Sequence, residues 1–190
     1  MIRTAEVSDA LRIARTHVQS WRETYKGLLP DGMLATLSVK RRTDAWEKIL
    51  REPAANDKTV VFVDEIGGQV VAFGACGEQR DAQLKRLGFD GEIGSIYVLQ
   101  AFQRQGIGVA LMSALAGSLV DRGYHGLALW VLRENAMARR FYEWCGGMTV
   151  AEKSEDRGVA VLVEVAYGWR DAEMLELSTK RANLEPGILK

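Results

Sequence analysis

Through the first fifty residues apolar positions recur every three to four residues, and after that they come in short unbroken or alternating runs. The chain therefore predicts a helical opening followed by an α/β body. A short strand covers residues 1–7, and Ser8-Asp9 offers a cap for a helix whose apolar stripe is Leu11, Ala14, Val18, Trp21 and Tyr25. Gly27 and Pro30-Asp31-Gly32 break it, and one further helix is expected over residues 33–50, ended by Pro53 and Asn56-Asp57. Strands at 59–65 and 69–75 flank Gly67-Gly68, a hairpin turn, and a polar connection follows over 79–87. Next come a strand at 92–99 and a helix with Ile107, Leu111, Leu115 and Leu119 in register, closed by Gly123. A strand at 127–132, a helix at 135–145 ended by Gly146-Gly147, and strands at 148–153 and 159–169 complete the body. The tail is expected to be helical near 171–177 and frayed beyond.

Length and charge narrow the class. At 190 residues, 47% hydrophobic and 26% charged, the chain reads as a soluble single domain. Its 25 basic and 25 acidic residues cancel, which argues against a nucleic-acid or anionic-membrane surface, so any anion site must be local. No apolar run is long enough to span a bilayer and residues 1–6 lack a signal-peptide layout, so a cytoplasmic protein is expected. Cys76 and Cys145 have no metal-ligand spacing, and neither a metal nor a disulfide is expected.

The most informative stretch is 92–116, a β-type run, a polar turn Gln103-Arg104-Gln105-Gly106-Ile107-Gly108, and an amphipathic helix. A helix opens with unpaired N–H groups and partial positive charge, so a glycine-containing turn leading into it can wrap a diphosphate. Two common nucleotide motifs do not fit. No Gly-Lys-Ser/Thr follows, and Leu111 stands where a dinucleotide fingerprint needs its third glycine.

The turn fits every position of Arg/Gln-x-x-Gly-x-Gly/Ala, and here the chain resembles the GNAT acetyltransferase superfamily. The likeness extends to Ile96-Tyr97-Val98 before the turn and to Leu129 through Asn135 with Phe141-Tyr142-Glu143 after it. It implies a mixed, mostly antiparallel α/β sheet splayed at its two central strands, with helices on both faces. Residues 1–170 would be one domain, with 1–57 on the acceptor side and 59–165 forming the acetyl-CoA-binding core, followed by a tail at 171–190. The resemblance implies that Ile96, Tyr97 and Val98 pair with the pantetheine arm while Gln103, Arg104, Gln105, Gly106, Ile107, Gly108 and Val109 seat the pyrophosphate. Together with the apolar last strands it favours a homodimer.

Asn135 and Tyr142 are seven residues apart, two helical turns, so they share a helix face about 10 Å long. The resemblance makes Asn135 a ligand of the cofactor arm and Tyr142 the acid that protonates the departing CoA thiolate. The residues alone read equally as a helix cap and a tyrosine beside core-facing Phe141. Glu92, 14 residues before Gly106, matches the base of the superfamily's histone acetyltransferases. The ribosomal-protein acetyltransferases place theirs where Trp130 stands, so Glu92, a water chain or a weakly basic acceptor must replace it. His17, Trp21, Tyr25 and Trp130 are the candidate acceptor residues, the first three at spacings of four on one helix. The expected function is transfer of acetyl from acetyl-CoA to a primary amine of a small molecule or peptide. A non-catalytic acyl-CoA-binding module is the alternative.

Overall fold

A computed structural model describes residues 1–158, 160–176 and 179. The elements in chain order are β1 (Ile2–Thr4), α1 (Ala10–Tyr25), α2 (Asp31–Ala35), α3 (Val39–Arg51), β2 (Val60–Ile66), β3 (Gln69–Glu78) and α4 (Ala82–Arg86). They continue with β4 (Gly91–Val98), α5 (Ile107–Asp121), β5 (Leu127–Leu132), α6 (Ala136–Trp144), β6 (Met148–Asp156) and β7 (Val161–Trp169). One seven-stranded sheet runs β1-β2-β3-β4-β5-β7-β6. Every neighbouring pair is antiparallel except β4 and β5.

That exception shapes the molecule. β4 and β5 pair in parallel only at Gly91↔Leu127 and Glu92↔Ala128, after which β4 stays with β3 as far as Val98 and β5 stays with β7 as far as Leu132. The two strands diverge, leaving a V whose inner backbone edges have no strand partner, the splay expected from the sequence. A bulge helps to open it. Ala75 pairs with Ser95 but Cys76 pairs with Ile93, so Gly94 is an extra residue in β4, and an extra residue bends and twists its strand.

α1 and α3 cover one face of the sheet, where Ile13, Ala14 and Trp46 pack on Val63 and Phe73. α5 and α6 cover the other, with Met112, Leu115, Leu119 and Tyr142 against Ile93, Leu129 and Tyr167. Each fully buried leucine of α5 contributes roughly 1.5–3 kcal/mol, which fixes the start of that helix against the mouth of the V.

Three expectations need correction. Leu11 is 43% exposed, whereas Ala14, Val18 and Tyr25 of the expected stripe are buried and are joined on the inner face by Ala10, Ile13 and His17. Asp9, bound by Arg3 and Arg12, anchors the helix start and turns the small alanines toward the sheet. The single helix expected over 33–50 is two, because Ser38 leaves helical geometry and caps α3 by accepting from the N–H of Arg41 at 3.3 Å. The connection at 79–87 contains α4, which Asp81 caps. Residues 172–176 are helical, and Ala172 and Leu175 are buried in the same core as Leu127 and Trp169. Of the stretch beyond residue 177, where fraying is expected, only Thr179 is described, and it is helical and buried. Among the described residues no helix is long and apolar enough to cross a membrane.

Candidate active site

The turn from β4 into α5 opens the site. Arg104 and Gly106 both have left-handed backbones, at φ 60° and 82°, and Gly106 is the N-cap of α5. Among the described residues, the backbone N–H groups of residues 104–109 have no acceptor. A row of free donors at the start of a well-anchored helix is an anion cradle. Arg104 is exposed beside it, with no ion-pair partner among the described residues, adding a full positive charge. Gln103 and Gln105 act differently. Their side-chain amides donate to the carbonyls of Val98 at 3.0 Å and Ala101 at 3.2 Å, bracing the turn; Gln105 keeps its backbone N–H for a ligand, whereas that of Gln103 donates to the Gln100 carbonyl at 3.2 Å, so Gln103 does not join the cradle. A Cβ on Gly108 would meet only the Phe141 ring, at 3.6 Å.

Across the V, α6 carries Asn135 at its N-cap and Tyr142 in its second turn. Asn135 caps α6, its Oδ1 accepting from the N–H of Ala138 at 3.2 Å, while its Nδ2 has no partner among the described residues. The cap and a ligand role are therefore compatible. Tyr142 is buried against Phe141, Tyr167 and Trp169, and its hydroxyl makes no hydrogen bond among the described residues. Burial, then the nearby Tyr25 and Cys145, push its pKa well above the ordinary phenol value, so the proton stays on until something basic reaches it.

The acceptor side is an aromatic lattice. His17 stacks on Tyr97 with centroids 5.4 Å apart and meets Trp21 at 5.7 Å, and Trp21 meets Tyr25 edge-on at 5.1 Å. The hydroxyls of Tyr25 and Tyr97 lie 3.3 Å apart. Trp46 donates its indole N–H to His17 Nδ1 at 3.2 Å, which requires a lone pair there and therefore a neutral ring. Burial, then the Arg42 charge, bring the His17 pKa down to about 3. Trp130 lies under the Lys153 ammonium, 4.1 Å from the ring centroid, and its buried indole N–H has no partner among the described residues.

Glu92 faces the α1 side at the apex of the V, where β4 and β5 still pair. Its Oε2 accepts from the backbone N–H and Nε of Arg80, both at 3.0 Å, and its Oε1 accepts from Arg80 Nη2. One lone pair on Oε1 remains. Gly94 preserves access to it, since a Cβ there would stand 3.7 Å from Oε1 and 3.4 Å from Nη2. Arg80, Arg42, Trp46 and Gly94 also line this site, and none of them is a candidate site residue from the sequence. Only Gly94 carries a local signal, a lone glycine inside a β-type run.

The Acetyltransferase (GNAT) family model matches residues 18–146, which hold both walls of this V. The chain belongs to the GNAT acetyltransferase family. An uncharacterised N-acetyltransferase, YuaI of Bacillus subtilis, is 33% identical over 180 residues, covering 95% of this chain and 98% of the relative. An uncharacterised N-acetyltransferase of Archaeoglobus fulgidus is 33% identical over 74% of this chain and 88% of its own length. Among solved structures, PaiA N-acetyltransferase of Thermoplasma acidophilum in complex with coenzyme A has a TM-score of 0.68 at 16% identity, covering 90% of this chain and 98% of that one. YncA of Salmonella typhimurium with acetyl-CoA has a TM-score of 0.65 at 20% identity, covering 90% and 92%. At these identities the structural matches establish the shared fold.

Proposed function

We propose that this GNAT protein moves an acetyl group from acetyl-CoA to a primary amine by direct attack in a ternary complex. The observation that carries the reading is the free N–H row of residues 104–109 at one mouth of a V whose other wall holds the unpartnered Tyr142 hydroxyl. The CoA and acetyl-CoA complexes of the structural relatives support the donor. In this reading Arg104 and the N–H groups of 104–109 hold the diphosphate, the open edge of β4 at Ile96 and Tyr97 serves the pantetheine amides, and Asn135 Nδ2 approaches from α6. Acetyl-CoA supplies the activated acyl carbon.

An alkyl amine has an ordinary pKa near 10.4 and must lose a proton before it attacks. Glu92 takes that proton through the remaining Oε1 lone pair, directly or through water, and a free N–H on β4 steadies the negative charge that develops on the carbonyl oxygen. Tyr142 returns a proton to the leaving sulfur. Burial pushes Cys76 up to about 11 and Cys145 up to about 12, so neither supplies a thiolate for an acyl-enzyme.

Calorimetric titration with acetyl-CoA, CoA, ATP and NAD tests the donor, and a thiol-release screen against amines tests the chemistry. Acetyl-CoA should bind best and weaken by at least about tenfold in Arg104→Glu, where repulsion replaces attraction at the diphosphate. Tighter ATP or NAD binding would sink the reading. Acetyl-CoA binding without thiol release for any amine would leave a sensing module.

A further inference from the structure

Between α1, α3 and the β3–β4 ladder lies a cavity of about 230 Å³ lined by His17, Arg42, Trp46, Arg80, Glu92 and Ser95 among others. It is smaller than the ~300–1,000 Å³ of sites for drug-sized ligands, so it suits a small acceptor. Its carboxylates all have cationic partners. Arg80 binds Glu92 and lies 3.9 Å from Asp57, while Glu78 is held by Lys85 at 3.2 Å and Lys58 at 3.4 Å.

Arg42 is the exception in this wall. It is half-buried, its guanidinium 5.3 Å from the Trp21 ring centroid, with no carboxylate within salt-bridge distance among the described residues. In the same lining His17, its Nδ1 taken by Trp46, has only an N–H left to give. A guanidinium and an imidazole N–H, both donors, suit a ligand that brings oxygen.

Resting on the acetyltransferase reading of the same site, we propose that the acceptor is a small amine carrying a carboxylate, which Arg42 binds while the amine lies toward Glu92. A single planar guanidinium matches the two coplanar oxygens of a carboxylate. The acceptor class is therefore that of amino acids and compounds of similar size, rather than polyamines or simple arylamines. Arg42 acts by recognition and takes no part in proton transfer.

The test compares the full-length protein with Arg42→Gln and Arg42→Lys on matched acceptors: free amino acids, their primary amides, the decarboxylated amines and O-phosphorylated amino alcohols. Thiol release gives the kinetics and calorimetry gives acetyl-CoA affinity for each variant. The wild type should favour the acids over their amides by at least about tenfold in kcat/KM, mostly through KM. Arg42→Gln should erase that preference with acetyl-CoA affinity unchanged, and Arg42→Lys should keep part of it. Amides, amines or phosphorylated acceptors used as well as the acids, or a preference that survives Arg42→Gln, would overturn the carboxylate proposal alone. Failure of the wild type to bind acetyl-CoA would overturn the acetyltransferase reading and this proposal with it.

Discussion

Tyr142 combines two properties that rarely coincide in one buried side chain, a phenol held firmly in its protonated form and a hydroxyl with no protein partner among the described residues. Removing a hydroxyl that has no protein partner among the described residues costs little stability. Tyr142→Phe should therefore melt within a few degrees of wild type and bind acetyl-CoA equally, while kcat falls by about 10–100-fold. An unchanged kcat in thiol release would show that the thiolate finds its proton elsewhere. Glu92 invites a sharper comparison, because its need depends on the acceptor. Glu92→Gln should slow alkyl amines by about 10²-fold and spare weakly basic arylamines, which arrive unprotonated; equal losses for both would assign Glu92 to structure. Tyr142 and Asn135 stand out in the sequence through the family resemblance, with their spacing fixed by one short helix and its cap. Arg80 and Arg42 do not, since the partners that give them meaning lie 12 residues away on a neighbouring strand and 21 residues away across a helix pair.

At the scale of elements, the turn into α5 works through backbone, and its two glycines are not equivalent. Gly106 holds φ 82°, a conformation that strains any residue with a Cβ, whereas Gly108 lacks such a constraint and has room beside Phe141. Gly106→Ala should weaken acetyl-CoA binding by roughly tenfold or more and Gly108→Ala by clearly less, measured by calorimetry; the reverse order would mean that close approach of the ligand at Gly108, and not turn geometry, limits the site. The same scale explains which elements could be read in advance. β5 was delimited by its unbroken apolar run, and α5 by its buried Ile107, Leu111, Leu115 and Leu119. α4 was missed because one buried leucine, Leu84, in a polar stretch leaves almost no period to detect. In α1 the apolar stripe holds at Ala14, Val18 and Tyr25 and departs only at Leu11, where the helix start, fixed by the Asp9 ion pairs, turns Ala10 inward in its place.

Across the whole molecule, His17 joins layers that must stay in register for a ternary complex. It sits on α1, accepts from Trp46 of α3, stacks on Tyr97 of β4 and packs against Phe73 of β3. Its pKa of about 3 lies below the ordinary 6.5, so between those values the unfolded chain binds a proton that the native state refuses. The stabilisation is complete above pH 6.5 and is lost as pH falls toward 3, by up to about 1.4 kcal/mol per pH unit. Asp9, held at about 2 by its hydrogen bond to Arg3 against an ordinary 3.8, loses its own contribution only below that higher value. In the interval from pH 6.5 to 4.5 His17 therefore dominates, with Glu65 and Glu78, both held below their ordinary 4.5 by cationic partners, contributing only at its lower end. Urea unfolding should show stability falling by roughly 2–3 kcal/mol across it. In His17→Gln, whose amide carbonyl can still accept from Trp46, most of the slope should disappear even if the plateau is lower, leaving only what Glu65 and Glu78 add near pH 4.5. A wild-type curve that is flat over that interval would mean that the His17–Trp46 joint opens to water at no cost, and that the acceptor wall is not the rigid surface its packing describes.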